Sequence, residues 1–391
     1  MRIRLTARTN ITVSGFILTT SIQILNPILA IYVYRELSAT PAEVGVIFAV
    51  FALAGLLLRV GLAFLVSEDR LGALLLLGLV VNTLSIAGYY LVDTIEGMLV
   101  MRIIHGAAIA LDNTTMLTLI GLVVANEGEI ARSLSRYTAA IAMGLMTGPA
   151  IATVVVAVLG TREAILASAL ISAPTIILGY LFIRESRGIW LGPIHHHTTV
   201  KEFITIIRGV GIRLASSIFF LFSVVYGVFL AYAPLIAGPR LGLADEIITI
   251  LFLGYFGISF ITRVMLSRLL SLLGAQHLLI LALTISAAGL VITGLSNSPQ
   301  LFILGFELIG VGHGITFPVT AIIAARTVAP QFRVLGNAIY LGAWDVGTLL
   351  GPLVGALLAP YLAIGQLIAL AAIAPIAAAL LALNLKKTGI H

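Results

Sequence analysis

Long apolar runs, interrupted at short intervals by charged residues, glycine or proline, set the pattern along this chain. They predict twelve helical spans, in 11–33, 42–66, 71–92, 97–122, 133–159, 162–184, 213–238, 245–270, 274–295, 299–325, 332–359 and 363–385. At roughly 20 apolar residues per membrane-crossing helix, a chain of 391 residues has room for that number with short loops between. One connection is longer. Residues 185–212 carry Arg187, Lys201, Arg208 and the triplet His195-His196-His197, and split the spans six and six. The expected organisation is an all-α polytopic membrane protein: an N-terminal six-helix bundle (1–185), a cytoplasmic linker (186–212) and a C-terminal six-helix bundle (213–391).

Composition agrees. The chain is 60% hydrophobic and 10% charged, with a mean hydropathy of +1.15; soluble domains are about 25% charged. An ordinary water-soluble enzyme is excluded. A net charge of +6 and a pI near 9.7 invite a nucleic-acid reading, but the basic residues are scattered between apolar runs, as orientation signals are. No nucleic-acid partner is expected; the lipid bilayer is. With the N-terminus inside, eighteen of the 22 Lys and Arg residues fall on the inner side. Only Arg35, Arg162 and Arg240 fall outside, and Arg102 lies within a span. The expected location is therefore the cell membrane, with both termini cytoplasmic. The first apolar run follows Arg2, Arg4 and Arg8 without an A-x-A-type cleavage site, and reads as a span rather than a cleaved signal. The absence of cysteine excludes disulfides and thiolate metal sites. The histidine triplet sits on one loop and is not expected to close a metal site, so neither metal nor cofactor is expected.

The two halves repeat each other. Leu37, Phe48, Phe51 and Arg59 match Leu241, Phe252, Tyr255 and Arg263, each 204 residues on, and Gly106 matches Gly310 at the same offset. Arg132 and Leu134 pair with Arg333 and Leu335 at 201, and Gly148-Pro149 with Gly351-Pro352 at 203. Since each half has an even number of spans, the copies share one orientation. Parallel repeats of this kind are one of the known transporter layouts.

On these residues the chain resembles the major facilitator superfamily. That family carries G-x-x-x-D-R-x-G-R after its second span; Asp69-Arg70-Leu71-Gly72 supplies the centre here, with Leu65 and Ala73 in place of the first Gly and last Arg. The counterpart after span 8 keeps Arg268 and Gly274. On span 4, R-x-x-Q-G becomes Arg102-Ile103-Ile104-His105-Gly106, and on span 5 Gly144-x-x-x-Gly148-Pro149 resembles the motif associated with antiporters. Span 11 repeats it as Gly347-x-x-x-Gly351-Pro352-x-x-Gly355. The resemblance implies two bundles around a central cavity that work by alternating access. It also implies a cytoplasmic charge latch, for which Arg59, Asp69, Arg70, Gly72, Arg263 and Arg268 are the candidates; positive-inside anchoring is the plainer role. The glycines also have a reading of their own. Small residues every four positions let helix backbones approach closely in lipid, and Pro149 and Pro352 weaken the helix beside them. Gating and simple packing both fit.

Four ionisable residues lie inside spans: Arg102, Asp112, Glu307 and Asp345. Each costs about 2.5–3.5 kcal/mol at a helix centre, so a cavity or a partner is expected. At 100° per residue Arg102, His105, Ile109, Asp112 and Asn113 share one face of span 4. Glu307, Gly310, Gly314 and Pro318 share a face of span 10, and His313 points away from it as a packed histidine. Gln23, Asn26 and Pro27 would add polar lining and a bend to span 1. Asp112 is the favoured carrier of a coupling proton, with Arg102 and His105 setting its affinity; structural hydrogen bonding within the bundle is the alternative.

Nothing resembles a P-loop, which argues against ATP-driven pumping by this chain. The expected function is secondary transport of a small solute, not enzymatic catalysis. Proton-coupled export of an apolar or amphipathic compound is favoured, by a protein expected to be monomeric. Symport or uniport of a sugar or other metabolite is the alternative; outside transport stand a membrane-embedded enzyme and a non-transporting sensor.

Overall fold

A computed structural model describes residues 2–65, 70–122, 127–186, 200–329 and 332–388. They form fifteen α-helices and a terminal 3-10 turn (Leu383–Thr388), with no strand among the described residues. The first seven helices are α1 (Arg2–Arg35), α2 (Pro41–Leu65), α3 (Leu71–Leu91), α4 (Ile95–Leu122), α5 (Glu127–Leu159), α6 (Thr161–Ser172) and α7 (Pro174–Ser186). A short α8 (Val200–Arg208) precedes α9 (Val210–Ala237), α10 (Asp245–Val264), α11 (Leu266–Leu295), α12 (Pro299–Thr327), α13 (Arg333–Leu358), α14 (Ile364–Leu370) and α15 (Ile373–Ala382). Twelve stretches are long and apolar enough to cross a membrane, with α6–α7 and α14–α15 each counting as one. Their outer faces carry large apolar side chains: Leu57 is 64% exposed, Leu84 65% and Val158 74%. Surface of that kind belongs against lipid, because it far exceeds what a water-soluble monomer tolerates.

Several boundaries differ from the sequence expectation. Span 8 ends at Val264 rather than near 270. The residues that follow begin α11, whose helical path is interrupted at Gly274 (φ 70°, ψ 162°). That backbone region is essentially confined to glycine, so the interruption is written into the sequence at one position. α1 runs as one helix through Pro27 without a break, and α5 and α13 likewise run through Pro149 and Pro352. Helices in lipid tolerate such prolines because neighbouring groups satisfy the carbonyl freed four residues earlier; beside Pro352, the Tyr232 hydroxyl of α9 donates to the proline's own carbonyl at 3.1 Å. Within the expected linker, α8 is amphipathic. Ile206 packs into the core while Phe203, Ile204 and Ile207 are exposed.

The chain divides into two compact units. One comprises Met1–Leu37 and Val50–His195, the other Ser38–Ala49 and His196–His391. In the first, α1 packs on α5, α6 and α7, and α3 packs on α4 and α6. In the second, α9 packs on α12, α13 and α15, and α11 on α12, α14 and α15. With α1 matched to α9 and α5 to α13, as the repeat offset requires, the pairs α1–α5 and α3–α4 answer to α9–α13 and α11–α12.

The glycines explain why these pairs form. A Cβ at Gly144 would lie 2.9 Å from the Phe16 carbonyl oxygen, and one at Gly148 would lie 2.7 Å from that of Thr20. In the second unit, a Cβ at Gly347 would lie 2.6 Å from the Phe220 carbonyl oxygen, and one at Gly351 would collide with that of Val224. Phe16 and Thr20 are the repeat partners of Phe220 and Val224, 204 residues on. Gly148→Leu and Gly351→Leu should each destabilise by about 1–3 kcal/mol or more, read as a fall of several degrees in the melting midpoint of detergent-purified protein. Met143, 57% exposed on the same helix as Gly148, should accept leucine without effect. Unchanged midpoints for both glycine variants would mean that these helices do not meet closely.

Candidate functional site

The first unit encloses a polar group on α4 of the kind the sequence predicts, with partners the sequence did not reveal. Arg102, His105 and Asp112 are 4%, 1% and 0% exposed, while Asn113 is only half-buried. The Arg102 guanidinium carbon lies 4.1 Å from the centre of the Phe51 ring on α2, a cation–π geometry that compensates a buried cation. Arg102 also hydrogen-bonds the Tyr89 hydroxyl of α3. His105 takes the other side of that hydroxyl, with Nδ1 2.9 Å from it, and stands edge-on to both Phe51 and Tyr89. Gly106 makes this possible: a Cβ there would strike the Phe51 carbonyl, so α4 and α2 touch backbone to backbone at the next residue.

Asp112 is separate from that group. It sits two helical turns beyond His105, about 10 Å along the axis, and its carboxylate packs into the space left by Gly78 on α3. Neither carboxyl oxygen has a hydrogen-bond partner among the described residues. The nearby Thr115 hydroxyl is turned back on the helix and donates to the Leu111 carbonyl at 2.8 Å. Tyr137 of α5 lies within electrostatic range of the carboxyl, with its hydroxyl 3.5 Å from Met116 Sδ. The expected trio is thus two clusters: Arg102 and His105 with Tyr89 and Phe51, and Asp112 by itself against α3.

In the second unit, Glu307 of α12 is half-buried against Gly254 of α10, where a Cβ would lie 2.8 Å from Oε2. His313 is 7% exposed and hydrogen-bonds the Ser259 hydroxyl at 2.8 Å, packed in a ring of aromatics as expected for a histidine off the Glu307 face. Asp345 is half-buried on α13, between Trp344 and the glycine stripe. Gln23 is buried and faces α5, where a Cβ at Gly148 would lie 2.5 Å from its own Cβ. Asn26 donates to its side-chain oxygen at 3.1 Å, one turn along α1.

Of the residues expected at a latch, Arg70 and Arg268 are exposed, Arg59 and Arg263 half-buried, and Gly72 packs on Ile183. The Arg263 guanidinium lies 5.7 Å from the Phe317 ring centre. Asp69 and the histidine triplet lie outside the described residues.

The sequence matches the pattern described as Major Facilitator Superfamily over residues 11–275 and 215–389. The chain belongs to the Major Facilitator Superfamily. Solved structures agree on the fold. Nucleoside transporter NupG is similar with a TM-score of 0.71 at 13% identity, over 99% of this chain and 100% of that one. A point mutant of NupG gives 0.73, also at 13% identity, over 96% and 99%. A bacterial homolog of the human lysosomal transporter Spinster gives 0.74 at 13% identity, over 99% and 97%. No curated protein matches the sequence.

Sequence reasoning in this Major Facilitator Superfamily chain found the ionisable residues but missed what faces them. Tyr89, Gly78, Gly254 and Ser259 carry no motif. Gly78 and Gly254 could have been found only by asking which small residue on a neighbouring helix leaves room for an acid. Because a buried polar group without a partner costs stability, Asp112→Leu should raise the melting midpoint, by an amount worth about 1–3 kcal/mol, while Asp112→Asn should leave it near the parent. A fall of similar size with leucine would mean that Asp112 is held by favourable partners and is a structural acid.

Proposed function

We propose that this protein is a secondary active transporter that moves a small solute across the cytoplasmic membrane by alternating access, and that it works as a proton-coupled exporter of an amphipathic compound. The halves 1–185 and 213–391 are the moving bundles and 186–212 the cytoplasmic tether. The observation that carries the reading is Asp112: a fully buried carboxyl without a hydrogen-bond partner among the described residues, inside a superfamily transporter fold. A group kept at such cost is held for function more than for stability. A carboxyl that one access state wets and the other dries can load a proton on one side and release it on the other. Arg102 and His105, tied to Tyr89, form a second polar centre one face-repeat away. They fit a role in linking movement of α4 to α2 and α3 rather than direct pairing with Asp112. The names of the similar structures, a nucleoside transporter and a Spinster homolog, support transport of a small solute. Symport is the second reading, favoured by Glu307, whose half-buried carboxyl offers another titratable group in the other unit.

The test uses proteoliposomes with an imposed pH gradient. The parent should accumulate substrate when the gradient drives it, and Asp112→Asn should still exchange substrate yet fail to concentrate it. If the mutant concentrates as well as the parent, Asp112 is structural and Glu307 or Asp345 carries the coupling. Collapse of the gradient without effect on either protein would remove protons from the mechanism. Orientation is read separately, since the chain has no cysteine of its own. A cysteine replacing Asp93 should react with an impermeant thiol reagent in intact cells, and one replacing His196 should not. The reverse pattern would place both termini outside.

A further inference from the structure

In the proposed orientation only Arg35, Arg162 and Arg240 stand on the outer side, against the inward bias of basic residues. Two of the three make the same contact. Arg162, at the start of α6, donates through Nη2 to the Tyr90 carbonyl (3.0 Å) and to the Asp93 carboxylate (3.2 Å). Its guanidinium carbon lies 5.0 Å from the centre of the Tyr90 ring. Arg240, just beyond α9, donates to the Gly294 carbonyl (3.2 Å) and to the side-chain oxygen of Asn297 (2.5 Å). Tyr90 and Gly294 are 204 residues apart, and so are Asp93 and Asn297. Each guanidinium therefore holds the same two groups of its own unit. One is a carbonyl in the last turn of α3 or α11, which helix geometry leaves without a partner; the other is a polar side chain just past that turn.

The arginines themselves are not repeat partners. Arg162 corresponds, at the offset of 203, to Gly365 of α14, and Arg240, at 204, to Glu36 beyond the end of α1. The exchange has a steric reason. A Cβ at Gly294 or at Gly365 would strike the carbonyl of the other, so α11 and α14 meet backbone to backbone where the first unit has the side chains of Tyr90 and Arg162. Position 365 thus has no room for an arginine. The guanidinium comes instead from Arg240, with Nη1 2.6 Å from where the Gly365 Cβ would stand. The backbone at its origin is itself repeated: the Arg240 amide donates to the Ile236 carbonyl (3.1 Å) as the Glu36 amide donates to that of Tyr32 (2.8 Å). A chance surface contact would not return to the same carbonyl from a different helix.

We infer that Arg162 and Arg240 are equivalent straps, each closing the last turn of the third span of its unit and tying it to a neighbouring span, so that the outer ends form one rigid piece. A guanidinium suits the task. Its planar fork serves a carbonyl and a side-chain acceptor together, and its charge sits at the negative end of the helix dipole. The span that is tied differs: α6 in the first unit, α9 in the second. With Asn297 in place of Asp93, the carbonyl cap is the shared part and the carboxylate charge is dispensable. In the transport reading the straps keep the ends of a bundle together as it rocks; that purpose rests on the reading, and the straps do not.

Amide hydrogen exchange in nanodiscs, with no substrate and no gradient, reads the straps apart from transport. Arg162→Ala should speed exchange over residues 88–92 about fivefold or more and leave 292–296 at the parent rate, and Arg240→Ala should do the converse. Adding Glu36→Arg to Arg162→Ala should return 88–92 to within about twofold of the parent, because it supplies a guanidinium from the position that the second unit uses. Asp93→Asn copies the second unit and should exchange as the parent does. Melting midpoints identify the folded variants, and Arg162→Gln and Arg240→Gln replace the alanine variants should these not fold. The inference is overturned if folded variants at both arginines exchange as the parent does, if Glu36→Arg restores nothing, or if Asp93→Asn loosens residues 88–92 as much as Arg162→Ala.

Discussion

In a hydrocarbon layer, helices gain nothing from hiding apolar surface from one another, because lipid tails are as apolar as leucine. What remains is dispersion between closely fitted surfaces, which falls off within about an ångström of lost contact. In this chain that closeness is obtained where glycine removes the side chain and one backbone lies on the next. It occurs at Gly144 and Gly148 against α1, at Gly106 against α2, and at Gly347, Gly351 and Gly310 in the second unit. The candidate site residues are placed by those contacts. His105 precedes Gly106 and so reaches Tyr89; Glu307 stands three residues before Gly310, beside Gly254; Asp345 stands two before Gly347. A shift of either glycine seam would move every polar group on the same helix.

The spans were legible because a membrane helix must satisfy its backbone internally and face apolar surroundings, which leaves long unbroken runs in the sequence. The repeat was legible because the glycine contacts recur at nearly constant offset. Breaks were not. Asn26-Pro27 does not interrupt α1, while Gly274, which does interrupt α11, looks like any glycine at the end of a loop. The polar face of α4 was legible from periodicity alone, but its division was not. Whether Asp112 meets His105 or Gly78 depends on a third helix, and no residue of α4 records where α3 passes. The outer straps escaped for a related reason. Each arginine taken singly is an ordinary charge at a helix end, and it stands out only when the carbonyl it holds is compared with its partner in the other repeat.

That comparison divides labour within the duplicated frame. The buried Arg102, His105 and Asp112 correspond to Phe306, Ile309 and Thr316, and the rings of Tyr226, His313 and Trp344 in the second unit correspond to Ile22, Ile109 and Ile141 in the first. One copy has concentrated its ionisable chemistry on its fourth helix, the other its π-surface on α9, α12 and α13. Duplication supplies two scaffolds that pack by the same contacts, and divergence at non-contact positions can then proceed without disturbing either.

The interruption at Gly274 also fixes a length. Residues 275–295 are the part of α11 left to cross the bilayer, about 31 Å at 1.5 Å per residue, close to the ~30 Å of a hydrocarbon core. The 34 residues of α1 would reach about 51 Å on the same rise. The first has no surplus with which to lean, and the second must lean or protrude. Bilayer thickness therefore acts unevenly on this protein: a thicker membrane would stretch the span behind Gly274, like the 20-residue α10 and the 21-residue α3, before it troubled α1.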